Sequence, residues 1–111
     1  MILDEAVTAR EMRAIEMNSE YLGVSKLQLM ENAGKTVAGA VKERFSPKTK
    51  VLIACGLGGN GGDGFVAARY LAGQGYPVSV VLLGRPENIR SEEARVNWVS
   101  LRNMTDSVKI T

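Results

Sequence analysis

Lys50-Val-Leu-Ile-Ala-Cys55-Gly-Leu-Gly-Gly-Asn-Gly-Gly-Asp-Gly64 decides the fold. Behind Lys50, a short continuous apolar run predicts a strand over 50–55, buried on both faces. Residues 56–64 then read as a glycine-rich turn. The period changes after it: 65–74 predicts a helix, closed by Gly75. Val78-Ser-Val-Val-Leu-Leu83 reads as a second buried strand. Residues 84–90 form a loop. Ser91 caps a further helix with Ala94, Trp98 and Leu101 inward, and 107–110 begin a third strand.

Working back from the first strand, Ser25-x-x-Gln28 is a capping box, in which hydroxyl and amide satisfy orphan N–H groups at a helix start. Leu27, Met30, Gly34, Val37, Val41 and Phe45 follow at steps of three and four, predicting an amphipathic helix that ends before Pro47. Ala33, Gly34, Ala38, Gly39 and Ala40 would let another backbone approach closely. Thr8-x-x-Glu11 opens an earlier helix with Met12, Ile15 and Leu22 on one face and Gly23 as its stop. The order α-α-β-α-β-α-β argues for βαβ units and a parallel sheet with helices on both faces. In such sheets a ligand sits beyond the carboxyl ends of the strands, where the glycine turn lies.

The 111 residues suit a single domain. Hydrophobic residues make up 45% and charged residues 23%, which excludes disorder and collagen-like repetition. The absence of His excludes a Ser-His-Asp triad, a Cys-His pair and His-ligated metal within these residues. One Cys excludes an internal disulfide and a Cys-based zinc site. The net charge of +2 is spread without like-charge runs and gives no nucleic-acid footprint. No apolar stretch approaches the ~20 residues that span a bilayer. A soluble cytoplasmic protein, with neither nucleic acid nor membrane as partner, is the expectation.

The turn from Cys55 to Gly64 carries six glycines in ten residues. They exceed what a tight strand-to-helix turn needs, and the following helix aims its free N–H groups at the turn, which points to an anion or phosphate cradle. Gly56-x-Gly58-x-x-Gly61 formally matches the dinucleotide fingerprint. No carboxylate follows at the end of the second strand, Leu82-Leu83-Gly84-Arg85, to hold a ribose hydroxyl. Arg85 reads as a solvated loop residue or as a 2′-phosphate ligand. Asn60 offers a hard carbonyl oxygen or tolerates a left-handed backbone. Asp63 either contacts a ligand or complements the helix dipole.

Leu29-Met30-Glu31-Asn32-Ala33-Gly34, followed by the glycine turn and Ala67-Ala68-Arg69, resembles the YjeF N-terminal domain family over essentially the whole chain. That family contains the NAD(P)H-hydrate epimerases, which interconvert the R and S epimers of NADHX and NADPHX in nicotinamide cofactor repair. The resemblance implies a Rossmann-like three-layer αβα domain with a mostly parallel sheet and two leading helices. Carried over residue by residue, it assigns Gly59, Asn60, Gly61, Gly62 and Asp63 to the nucleotide substrate and Asn60 to a potassium ion. The family usually has two asparagines in the turn, and here Gly59 stands at the first. The family's further cation-ligating carboxylate and its proton-transferring acid fall on no residue up to Thr111.

Residues 1–111 therefore read as the N-terminal part of one such domain, incomplete at its C-terminus and inactive alone. The resemblance also implies, in some parents, a fused ADP- or ATP-dependent dehydratase. The leading helices either pair across a homodimer or cover the sheet of their own chain. A non-catalytic nucleotide-binding or protein-interaction scaffold of the same fold is the alternative function. A fragment of an ordinary dinucleotide-dependent oxidoreductase fits less well, for want of the acid after the second strand.

Overall fold

The computed structural model describes residues 24–104 and 106–111. The first helix expected, with its Thr8-x-x-Glu11 box, lies outside them. The described elements run α1 (Lys26–Arg44), β1 (Val51–Cys55), α2 (Gly59–Gly73), β2 (Val78–Leu82), a short 3₁₀ helix (Pro86–Asn88), α3 (Glu92–Arg102) and β3 (Val108–Ile110). The sheet has the order β1-β2-β3 with both pairs parallel. Val51 sits opposite Val78, and Val78 opposite Val108.

The local chemistry explains the element ends. The Ser25 hydroxyl accepts from the Gln28 backbone N–H at 3.1 Å, while the Gln28 side chain accepts from the Ser25 N–H at 2.9 Å. That is the predicted capping box, and it starts α1. Ser91 accepts from the Ala94 N–H and starts α3. Gly75, at φ +92°, turns the chain out of α2 in a conformation that L side chains rarely adopt.

Strands added in sequence order by right-handed crossovers place the connecting helices on one face. Accordingly α2 covers the sheet face that carries Ile53, Cys55, Val78, Val80 and Val108, all buried. α1 and α3 flank α2, and Phe65 meets Trp98 with ring centroids 5.2 Å apart. The other face of β1 differs from the expectation of burial on both sides. Leu52 is 69% exposed and Ala54 is exposed, so burial alternates along the strand.

Two further expectations are corrected. Leu27 and Phe45 are exposed, whereas Met30, Gly34 and Ala38 are buried. The buried stripe of α1 is a single row at steps of four, because contact with α2 is confined to the stretch where the two helices lie close. The glycine turn is also shorter than read. Only Gly56, Leu57 and Gly58 connect strand to helix, and α2 begins at Gly59.

Cys55 is fully buried at the end of β1, with its sulfur against the α-carbon side of Gly64. Burial pushes its thiol up from 9.0 to about 11. At pH 8 only about one thiol in a thousand would be ionised, so an aromatic disulfide reagent is expected to leave Cys55 unmodified until the protein unfolds. Rapid native-state labelling would contradict that burial. The sign of the linkage also follows. The unfolded thiol loses its proton first, so its contribution is intact below pH 9.0 and falls away by pH 11. The loss over that window is about 2–3 kcal/mol, readable as a falling denaturant midpoint.

Candidate functional site

The site lies where β1 runs into α2. Gly58 is the helix N-cap and offers no side-chain cap. The first bond across this helix end runs from the Gly62 N–H to the Gly58 carbonyl, 3.3 Å. The amides of Gly59, Asn60 and Gly61 precede it and have no carbonyl one turn earlier to reach. They therefore converge at the positive end of α2, at the carboxyl end of a parallel strand.

The glycines divide into two groups. At Gly56 and Gly59 an added Cβ would meet nothing within 4 Å, so these positions open outward. Gly61, Gly62 and Gly64 are closed. A Cβ at Gly61 would lie 2.0 Å from the Gly56 carbonyl oxygen, and one at Gly62 would lie 2.5 Å from the Met30 sulfur. At Gly64 it would press on Cys55 at 2.7 Å. Half of the glycine signal thus reports close packing of α2 onto β1 and α1.

The five residues predicted to meet the substrate are placed accordingly. Gly59 and Asn60 are exposed in the first turn of α2, while Gly61 and Gly62 are buried behind them. Asn60 is helical, and among the described residues only glycines have positive φ, which removes the left-handed reading. Asp63 is the fifth residue of α2, one turn below Gly59 on the same face, and only 8% exposed. It does not occupy the helix's first turn, so the capping reading does not apply.

Of the second motif, sequence reasoning foresaw the close backbone approach at Gly34 but not the roles of Met30 and Glu31. The Met30 sulfur accepts from the buried Asn97 amide at 3.2 Å, and Asn97 also donates to the Glu93 carbonyl at 3.0 Å. Glu31 pairs with Arg69 and accepts the Tyr70 hydroxyl at 2.6 Å. That bond, with some desolvation, holds the Tyr70 phenol above its usual range. A Cβ at Gly34 would lie 2.3 Å from Val66 Cβ and 2.8 Å from the Asp63 carbonyl oxygen. Met30, Glu31 and Gly34 thus fix α2 against α1, setting the height of the glycine turn and of Asp63.

Arg90 is the other residue that sequence reasoning passed over. Its backbone N–H donates to the Leu57 carbonyl at 2.9 Å, tying the β2–α3 loop to the turn. Its guanidinium reaches the open side of Gly58. A signal was available: it is the residue before the capping Ser91. Arg85 is exposed, as Arg90 is, and leads into the 3₁₀ helix.

Away from this site, a cleft of about 620 Å³ lies between the C-terminal ends of α1 and α2, lined by Lys42, Phe45, Pro47 and Tyr76 among others. It is a full helix length from the glycine turn. No group of three or more acidic or Cys residues gathers to hold a metal ion among the described residues. No helix among them is long and apolar enough to cross a membrane.

Comparison with known proteins settles the family. The profile of the YjeF-related protein N-terminus matches residues 26–110. The chain belongs to this family. It is 47% identical over 104 residues to an NAD(P)H-hydrate epimerase of Cenarchaeum symbiosum, covering 94% of this chain and 48% of that protein. It is also 47% identical over 108 residues to a bifunctional NAD(P)H-hydrate repair enzyme of Hyperthermus butylicus, covering 97% of this chain and 20% of that protein. A yeast crystal structure superposes with a TM-score of 0.73 at 30% identity, over 96% of this chain and 47% of that one. The chain thus spans about half the length of the epimerase and a fifth of the bifunctional enzyme. The Rossmann-like α/β fold agrees with this membership.

Proposed function

We propose that the protein carrying this chain is an NAD(P)H-hydrate epimerase, interconverting the R and S epimers of NADHX and NADPHX. One observation carries the reading. A relative that bears this activity in its name shares 47% of 104 residues, and the match covers 94% of the chain, the region that here builds the open helix end. The two observations agree chemically. A dinucleotide brings phosphates, and the exposed first turn of α2 offers converging amides and a positive dipole end.

In this reading the chain supplies the phosphate side of the site. The amides of Gly59, Asn60 and Gly61 bind phosphate oxygens, with the buried Gly61 and Gly62 keeping that turn close to the strand. Asp63 lies behind Gly59 as the carboxylate nearest the substrate. Asn60 is exposed, and its side chain carries an amide oxygen of the hard type that suits a potassium ion. Such an ion needs several oxygens, and Asn60 would be one donor among them. Potassium would add positive charge beside the substrate. Epimerising a carbon that bears both a hydroxyl and a ring nitrogen requires charge stabilisation of this kind and a proton-transferring group. The names of the bifunctional relatives support a second, repair-related catalytic unit in the same polypeptide.

The direct test is to incubate the purified full-length protein with a single NADHX epimer and follow the other by chromatography. Interconversion well above the spontaneous rate is expected. Its absence, in well-folded protein with potassium present, would leave the non-catalytic scaffold as the better reading.

A further inference from the structure

We propose that Arg90 is a phosphate ligand of the glycine turn and a determinant of substrate affinity. This rests on the reading of a dinucleotide substrate and adds a residue to it. The Arg90 backbone is held by the 2.9 Å bond to the Leu57 carbonyl, so the residue has a fixed origin at the turn. Its Nη1 lies 3.5 Å from the point where a Cβ on Gly58 would begin. Gly58 is the uncapped start of α2, and Gly59 and Asn60 beside it are exposed. The guanidinium thus stands at the same opening as the free amides.

That placement is electrostatically unfavourable without an anion. A cation belongs at a helix C-terminus, and here one is set against the positive end. Arg90 makes no side-chain hydrogen bond or ion pair with any described residue, although Glu87, Glu92 and Glu93 lie within three positions of it. By comparison, Arg69 pairs with Glu31 and Arg95 donates to the Ile89 carbonyl. A phosphate between guanidinium and amides would satisfy both positive groups, with the planar fork suited to two of its oxygens. The end of β2 agrees. Where a ribose-reading carboxylate would repel a phosphorylated ribose, this chain has Leu82, Leu83, Gly84 and Arg85.

The phosphate has two sources within the substrate: the bridging pyrophosphate of both NADHX and NADPHX, and the 2′-phosphate of NADPHX alone. The test compares Arg90→Ala and Arg90→Lys with wild type in the full-length protein. KM and kcat are measured for each substrate, and inorganic pyrophosphate binding is measured by calorimetry. The expected result is a KM increase of about tenfold for Arg90→Ala, larger than any fall in kcat, with Arg90→Lys recovering part of it. An equal increase for both substrates assigns the bridging pyrophosphate; an increase confined to NADPHX assigns the 2′-phosphate. Unchanged KM for both substrates in folded Arg90→Ala overturns the proposal. A wild-type protein without epimerase activity would defeat the functional reading separately. Arg90 would then stand on pyrophosphate affinity alone, and equal affinity in wild type and Arg90→Ala, or none in wild type, overturns it.

Discussion

Gly61→Ala is expected to destabilise the protein by at least about 3 kcal/mol, at the upper end of overpacking costs in well-packed cores. The new Cβ would lie 2.0 Å from the Gly56 carbonyl oxygen, 2.8 Å from its carbon and 3.2 Å from its nitrogen. All three obstacles are backbone, so no rotamer change relieves them. The turn cannot easily shift either. Cys55 accepts from the Leu83 N–H at 2.8 Å on one side of Gly56, and Leu57 accepts from the Arg90 N–H on the other. Replacing a helical Gly by Ala recovers roughly 0.5–1 kcal/mol of backbone entropy, too little to offset the clash. A melting temperature at least about 6 °C below wild type is the expected readout. Gly39→Ala is the control. It lies in the exposed interior of α1 with nothing within 4 Å of an added Cβ, so it should stabilise by about 0.5–1 kcal/mol. If Gly61→Ala melted like Gly39→Ala, the close approach of Gly56 to the helix would be wrong.

The contrast between these two glycines marks what the sequence alone could convey. Strand and helix order was legible because the period changes sharply at Lys50, and because Ser25 and Ser91 carry capping chemistry that acts within three residues. The place of the candidate site in the fold was legible too, since an apolar run followed by glycines fixes the carboxyl end of a strand. The purpose of each glycine was not. Gly59 opens to solvent and Gly61 faces a backbone oxygen, yet both are glycines in one run, and only the packing tells them apart. The same limit applied to Leu27 and Phe45. Their spacing fits an apolar helical face, but the residues that α1 buries are Met30, Gly34 and Ala38. Arg90 escaped notice because its relation to Gly58 spans 32 positions of sequence and arises from one loop hydrogen bond.

Asp63→Asn in the full-length protein is expected to lower kcat/KM for epimerisation at least tenfold, a loss of about 1.4 kcal/mol or more in transition-state stabilisation. Asp63 lies in the second turn of α2, directly behind the open Gly59, and is 8% exposed. A charge held in so dry a position acts on a neighbouring ligand with little screening by water, so its removal should be felt more than that of an exposed acid. Its backbone is fixed from behind by Gly34, whose missing side chain lets the Asp63 carbonyl approach. The Asn variant keeps the volume and one acceptor oxygen but removes the charge, so it should fold, with a smaller stability cost than the loss of the whole side chain. Asp63→Ala should show at least the same loss of activity, together with a stability cost of about 1–3 kcal/mol from the partner groups it leaves unmatched. The two variants separate chemistry from packing. A well-folded Asp63→Asn protein with wild-type kcat/KM would assign Asp63 to the support of α2 and leave the substrate to the exposed amides. A tenfold loss in well-folded Asp63→Asn protein would place its carboxylate at the substrate.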